Sequence, residues 1–168
     1  FKLTGDADDP NDDAMTYDWE QFNLGNASPP NTDDGTRPIF RSLPPSLSPT
    51  RTFPHLTSII NNLTTLGESL PVTNRTLTFR LTARDNRAGG GGVNYSMVNI
   101  PVTTSAGPFL VTAPNTAVSW PVGSGQTVTW NVANTTAAPV SCANVNIRLS
   151  LDGGNTFGTM LLANTPND

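Results

Sequence analysis

The chain has 168 residues with a formal net charge of −4, and its 15 prolines and 14 glycines are spread along the whole sequence. This length accommodates one domain or two small ones. The acidic balance and the scattered arginines argue against nucleic-acid binding, which needs a concentrated positive surface. No stretch approaches the ~20 consecutive apolar residues of a transmembrane helix, so we expect no membrane span.

The N-terminal part of the chain alternates in the manner of β-strands separated by turns. Residues 1–4 predict a short strand, residues 5–13 an acidic loop, and residues 14–22 a half-buried strand with a period of two. The apolar face of this second strand consists of Met15, Tyr17 and Trp19. Runs rich in Val and Thr recur between Pro and Gly residues, and they are typical of an all-β protein.

A long insertion follows the second strand. Residues 23–50 are rich in proline and predict loops, with a short edge strand at 38–40. Residues 54–63 predict one short helix, because Pro54 suits a first helical turn and apolar residues recur there at helical spacing. The apolar residues that share one face of this helix are Leu56, Ile59, Ile60 and Leu63.

Two longer strands are predicted over residues 75–84 and 93–102, joined by a glycine-rich loop. After a linker at 103–108, strand patterns recur in PFLVTAP, QTVTWNV, VNIRLSL and TMLLAN. Trp130 lies among alternating residues and is expected in the core of this second unit. An immunoglobulin-type sandwich needs roughly seven strands in ~100 residues, so we predict that the second unit is incomplete.

The acidic loop has the ligand chemistry of a calcium site. Asp9, Asn11 and Asp13 stand at positions 1, 3 and 5 of an EF-hand spacing, with Glu20 at position 12. Ala14 occupies the position that requires Gly, and the residues after it alternate as a strand. The pattern therefore excludes an EF-hand, but it keeps the closely spaced Asp and Asn oxygens that Ca²⁺ prefers.

Topology adds a distant candidate ligand. In a Greek-key sandwich, the loop before the third strand and the loop between the last two strands lie at the same end. Asp85, the only acidic residue between Ser69 and Leu151, would then reach the acidic loop. We predict a structural Ca²⁺ site formed by Asp9, Asn11, Asp13 and Asp85. The residues left open as further ligands are Asp6, Asp8, Asp12 and Glu20.

Other interpretations of the same residues remain. Asp and Asn also form ordinary solvated turns, and paired carboxylates can cleave glycosides. His55 is the only histidine, so a zinc site built on two or three histidines cannot form. The single cysteine, Cys142, excludes an internal disulfide and is expected to be a buried structural thiol rather than a nucleophile.

Several segments carry a resemblance to a known family: TGDADDPNDDAMTYDWEQFNLG, PIFRSLPPSLSPTRTFP, RTLTFRLTARDNRAGGGGV and the tail with its DGG-TF-LL-NTPND pattern. Together they resemble the non-catalytic β-sandwich region that follows the catalytic domain in secreted, reprolysin-like bacterial zinc metalloproteases. The first unit is also similar to PKD and cadherin-like modules, whose DPDGD-type loop here has Asn11 and Asp12 in place of the common Asp and Gly. The resemblance implies an extracellular location and Ca²⁺ dependence, but no segment matches the catalytic histidine motif.

The sequence as a whole predicts an all-β segment of a longer protein, built from two tandem immunoglobulin-like units of the PKD or cadherin type. Residues 1–104 form the calcium-binding unit with the helical insertion, and residues 105–168 form the incomplete one. We expect a secreted, non-enzymatic accessory module that positions or stabilises a catalytic domain or attaches it to a surface. The alternative is a carbohydrate- or surface-binding module with structural calcium, for which Trp120 is the candidate stacking residue.

Overall fold

The computed structural model describes residues 1–168, which form nine β-strands and one short helix. Every strand pair is antiparallel, so the fold is all-β. The chain divides into unit 1, Phe1–Val102, and unit 2, Thr103–Asp168. The elements of unit 1 are β1 (Lys2–Thr4), β2 (Thr16–Gln21), β3 (Thr50–Thr52), α1 (Leu56–Ile60), β4 (Arg75–Arg84) and β5 (Val93–Val102). Those of unit 2 are β6 (Leu110–Ala113), β7 (Thr129–Asn131), β8 (Asn144–Leu149) and β9 (Thr159–Pro166).

Unit 1 contains two sheets. β1 pairs with β3, and β4 lies between β2 and β5 in a three-stranded sheet. The pairing of β2 with β4 sets Thr16 opposite Arg84, and the pairing of β4 with β5 sets Arg84 opposite Val93. The loop before β2 and the loop between β4 and β5 therefore leave the sheet at the same end.

The core of unit 1 is aromatic. Phe53 and Phe79 are completely buried, with ring centroids 4.7 Å apart, and Phe40 lies 5.2 Å from Phe53. Alternation along β4 turns Leu77 and Leu81 to the same side as Phe79. Trp19 and Ile39 complete the buried cluster, against which Leu3 of β1 packs. The apolar faces predicted for these strands are thus the ones that are buried.

A buried ion pair fastens the proline-rich insertion to β4. The guanidinium of Arg75 lies 2.6 Å from an Asp33 carboxylate oxygen, and both side chains are 1% exposed. Arg75 also donates to the carbonyls of Thr36 and Arg37, while Asp33 accepts from the amides of Gly35, Val72 and Thr73. These bonds offset the cost of burying the two charges, although Arg75 Nε has no hydrogen-bond partner.

The insertion is otherwise less regular than its sequence predicts. The edge strand expected at 38–40 is reduced to one bridge between Phe40 and Glu68, and β3 was not predicted at all. Helix α1 spans five residues, not ten, and the chain leaves it through Asn62, whose φ is +51°. Because one turn cannot assemble a continuous apolar stripe, the predicted helical face is mostly solvent-exposed and Ser58 is the buried position.

Unit 2 consists of two separate two-stranded sheets, β6–β7 and β8–β9. Its buried residues are polar, Thr135 and Asn167. Trp130, expected in the core, is only half-buried, and its indole N–H donates to Asn167 Oδ1 at 3.1 Å. Cys142, expected to be buried, is likewise half-exposed. Both expectations fail because two short sheets in this unit cannot enclose an apolar core.

No helix of the structure has the length and apolarity to span a membrane.

The Asp33–Arg75 pair predicts a specific loss of stability in acid. Burial disfavours ionisation of Asp33, but the amides of Gly35 and Val72 together with Arg75 outweigh it and lower the pKa of Asp33 to about 2. A carboxyl whose pKa is lowered on folding stabilises the protein above its unfolded pKa, and this contribution disappears as the pH falls from about 5 to about 2.

We expect Asp33→Asn to lower the free energy of unfolding by about 3–5 kcal/mol at pH 7, since Arg75 would remain buried without its counter-ion. Urea unfolding between pH 2 and 7 measures this loss and its pH dependence. Asp34→Asn, at the neighbouring exposed position, is the control. An Asp33→Asn variant that keeps both the stability and the acid sensitivity of the parent chain would contradict this role.

Candidate metal centre

The sheet register of unit 1 brings three distant carboxylates together. Asp9 and Asp13 lie in the loop before β2, and Asp85 follows the last residue of β4. Because Thr16 of β2 is opposite Arg84 of β4, the residue after β4 reaches the loop that leads into β2. One carboxylate oxygen from each of the three residues lies within 4.8 Å of the other two.

This spacing suits a single calcium ion. Ca²⁺ binds oxygens at 2.3–2.6 Å, so two of its ligands are separated by at most about 5 Å. The three carboxylates, which we call the acidic triad (Asp9, Asp13 and Asp85), meet that condition and are all half-exposed. Water and main-chain carbonyls usually complete such a sphere. The arrangement can therefore accept one hard cation at the end of the sheet.

Turn chemistry places two members of the acidic triad side by side. Asp9 Oδ1 accepts hydrogen bonds from the main-chain amides of Asn11 and Asp13, both at 2.9 Å. Asp12, whose amide donates to the Asp9 carbonyl at 3.1 Å, has a φ of +58°. Asp tolerates this left-handed conformation better than most residues. The sequence PNDD thus folds back on Asp9 and carries Asp13 next to it.

The third member of the triad is held by the glycine-rich loop. The Gly92 amide donates to Asp85 Oδ2 at 2.8 Å, and the Arg87 amide donates to Asp85 Oδ1 at 3.1 Å. These two hydrogen bonds, that of Gly92 foremost, lower the pKa of Asp85 below its usual value. A Cβ at Gly91 would lie 2.6 Å from Asp85 Oδ1. A side chain at this position would therefore displace the Asp85 carboxylate.

Arg87 is the one basic side chain in contact with the triad. Asp13 Oδ2 is shielded from solvent and has no hydrogen-bond partner. The Arg87 guanidinium lies 3.7 Å from this oxygen, which is too far for a hydrogen bond but close enough to neutralise part of the negative charge. Sequence reasoning missed Arg87, although its position two residues after Asp85 is the signal that could have identified it.

An open groove of about 380 Å³ adjoins the triad. Asp6 and Asp8 line it together with Asp9 and Asp85, while Leu81 and Tyr95 contribute apolar surface. Asp6 and Asp8 therefore face the same space as two of the triad residues and add to its negative charge.

The other predicted residues fall in different places. Asn11 lies in the same turn as Asp9 and Asp13, and its main-chain amide donates a hydrogen bond to Asp9 Oδ1. Glu20 is on β2, where its carboxylate accepts hydrogen bonds from Arg80 and Ser42, and the Arg80 bond is the main reason that its pKa is lowered. The EF-hand spacing that made Glu20 a candidate ligand therefore has no counterpart in the fold.

Comparison of the chain with protein-family models, with curated proteins and with solved structures gave no match. The candidate metal site is therefore supported only by the residues of unit 1 and the distances between them.

The position of Arg87 predicts how charge controls the affinity for metal. A cation bound by the triad would be repelled by the Arg87 guanidinium near Asp13 Oδ2. We expect Arg87→Gln to raise the Ca²⁺ affinity about two- to fivefold, because a solvent-exposed charge interaction is worth about 0.5–1 kcal/mol. Isothermal titration of both proteins at equal ionic strength measures the change.

Arg41→Gln is the matched control, since Arg41 has the same charge and lies on the insertion at the surface of unit 1. An unchanged affinity in Arg87→Gln, or an equal rise in Arg41→Gln, would show that Arg87 does not act on a cation at the triad.

Proposed function

We propose that this chain is a non-catalytic β-sandwich module whose first unit is stabilised by a structural Ca²⁺ ion. Asp9, Asp13 and Asp85 supply the carboxylate ligands, and Asn11 is the candidate for a further side-chain oxygen. The observation that carries the proposal is the convergence of three carboxylates, from two loops far apart in sequence, within 4.8 Å of one another.

The concentration of negative charge at this end of the sheet is the physical reason to expect a bound cation. The loops hold the acidic triad together with Asp6, Asp8 and Asp12. Arg87 is the only basic residue that forms an ion pair with them, and Arg84 lines the adjoining groove. Like charges this close repel one another. A divalent cation replaces that repulsion by attraction and adds stability that grows with its concentration, because it binds the folded chain and not the unfolded one.

The same features argue against hydrolysis by paired carboxylates. A glycosidase needs one carboxylic acid with a raised pKa that can protonate the leaving group. Within the triad, the pKa of Asp85 is instead lowered by the amides of Gly92 and Arg87. The carboxyl whose pKa is raised, by burial first and by Glu20 second, is that of Asp18, which lies on β2 outside the triad. Asp85 is suited to remain an anion and bind a cation, and the proposed role is structural.

The biological setting we propose is an extracellular one. Modules outside the cell bind calcium with dissociation constants of about 10⁻⁴–10⁻³ M, matched to its concentration there. The resemblance to the region after the catalytic domain in reprolysin-like metalloproteases supports an accessory module of a secreted enzyme. Its partner would be the catalytic domain of the same polypeptide, which it positions or stabilises, or a surface to which it attaches the enzyme.

Calcium-dependent stability tests the proposal. We expect the parent chain to bind one Ca²⁺ per molecule in isothermal titration and to melt at a higher temperature in about 10 mM Ca²⁺ than in chelator. Asp13→Asn removes one ligand charge while preserving the shape of the side chain, and we expect it to weaken binding at least about tenfold.

Asp12→Asn is the matched control, because Asp12 lies in the same turn but outside the triad. Asn also tolerates the left-handed backbone at this position. Binding that is lost equally in both variants would mean a diffuse charge effect rather than a site. No heat and no rise in melting temperature for the parent chain would refute the calcium proposal.

A carbohydrate- or surface-binding role is the second candidate, and one observation favours it. The indole of Trp120, in the turn after β6, is 47% exposed, as a residue that stacks on sugar rings must be. We expect Trp120→Ala to abolish retention on an insoluble polysaccharide column without changing the melting temperature. Retention that is equal for both proteins would remove this candidate.

A further inference from the structure

The outer strand of the three-stranded sheet has an edge that is protected only at Pro101 and at the Tyr95 amide, which is bound by the Asn94 side chain. β5 pairs with β4 at all ten positions without a bulge, and it is the last strand of that sheet. Its sequence, VNYSMVNIPV, contains no charged residue. Natural proteins usually protect a long edge strand with charges, bulges or a covering element, because its free main-chain groups pair readily with another strand.

The direction of the free main-chain groups follows from the register. Thr78 of β4 directs its main chain toward β2, since its carbonyl accepts from the Phe22 amide and its amide donates to Asn23. Phe79 therefore bonds toward β5, where it is opposite Val98. In an antiparallel ladder the next residues on β5, Met97 and Asn99, point their N–H and C=O groups outward.

Two details agree with this assignment. The Tyr95 amide donates to its neighbour Asn94 Oδ1 at 2.8 Å, so it is not used in the ladder with β4. Pro101, which has no N–H, lies at another outward position, where an edge strand tolerates proline. The stretch available for pairing is thus centred on Met97 and Asn99, and the side chains of β5 from Val93 to Asn99 are exposed.

We propose that β5 pairs antiparallel with β5 of a second copy of this chain, forming one continuous sheet across a two-fold axis near Met97. Antiparallel pairing of a strand with itself is self-complementary, because the same outward groups face each other on both sides. Met97 would lie opposite its counterpart, and Tyr95 of one copy would lie opposite Asn99 of the other. In this second pair the Asn99 amide would donate to the Tyr95 carbonyl, while the Tyr95 amide keeps its bond to Asn94 Oδ1.

The distribution of charge favours antiparallel over parallel pairing of β5 with a second copy of itself. The acidic loops adjoin the Val93 end of β5, where that strand is joined to β4. Antiparallel pairing places the two acidic ends roughly 25–30 Å apart, well beyond the Debye length of ~8 Å at physiological salt. Parallel pairing would place them side by side. No charged side chain of β5 opposes its copy in the antiparallel arrangement.

Sedimentation velocity of the 168-residue chain over about 10 µM to 1 mM tests the proposal. We expect a reversible monomer–dimer equilibrium. Met97→Glu should weaken it at least about tenfold by setting two carboxylates against each other at the axis. Within one copy this Glu faces Arg80, so the sheet itself tolerates it. Leu24→Glu, at a loop position that is 88% exposed, is the matched control and should dimerise as the parent does.

Amide hydrogen exchange provides a second measurement that needs no variant. The amides of Met97 and Asn99 should exchange fast in dilute solution and become protected as the concentration rises. Those of Val98 and Ile100, which bond to β4, should be protected throughout. A strict monomer at about 1 mM, an equal effect of the two Glu variants, or no dependence of the Met97 and Asn99 amides on concentration would each overturn the proposal.

Discussion

The pairing of β2 with β4 determines the geometry of the acidic end of unit 1. It sets Thr16 opposite Arg84, and both loops of the acidic triad begin within a few residues of that pair. A shift of one residue would turn the aromatic faces of these strands away from the core. The hydrophobic contacts of Trp19, Phe79 and Leu81 thus fix the position of the carboxylates, although none of these three side chains is charged.

The carboxylates of unit 1 lie in two contrasting environments. Asp33 is enclosed with Arg75 and uses both of its oxygens in hydrogen bonds, so the fold itself supplies everything the anion needs. Asp13 has an oxygen with no hydrogen-bond partner and only a distant guanidinium near it. The carboxylate of the first arrangement has all its partners within the chain, whereas in our proposal a cation is the missing partner of the second. This difference is why the acidic triad, and not the buried pair, is the candidate binding site.

The two units differ in how much they bury. Unit 1 encloses three phenylalanine rings from three segments of the chain, Phe40, Phe53 and Phe79, and the exposed Phe1 packs against them. In unit 2 the buried side chains are Thr135 and Asn167, and Asn167 connects Trp130, Thr135 and Cys142 through hydrogen bonds. A polar hub of this kind specifies the local geometry but contributes little hydrophobic stabilisation. In unit 1 the poorly covered element is β5, whose side chains from Val93 to Asn99 are exposed.

Local patterns in the sequence were enough to predict the all-β class, the strands around Trp19, Phe79 and Ile100, and Asp9, Asn11 and Asp13 as candidate ligands, because strand alternation and Asp-rich turns are local signals. Asp85 was instead nominated from the expected order of the strands. The sequence pattern did not predict strand β3, which pairs with the distant β1, or the early end of helix α1, beyond which Asn62 has a φ of +51°. Only the tertiary structure placed Arg87 beside Asp13, paired Glu20 with Arg80, and left Trp130 and Cys142 half-exposed. Burial and charge pairing depend on which strands lie next to each other. The alternation of residues along one strand shows which side chains share a face, but it does not show which strand or loop will lie beside them.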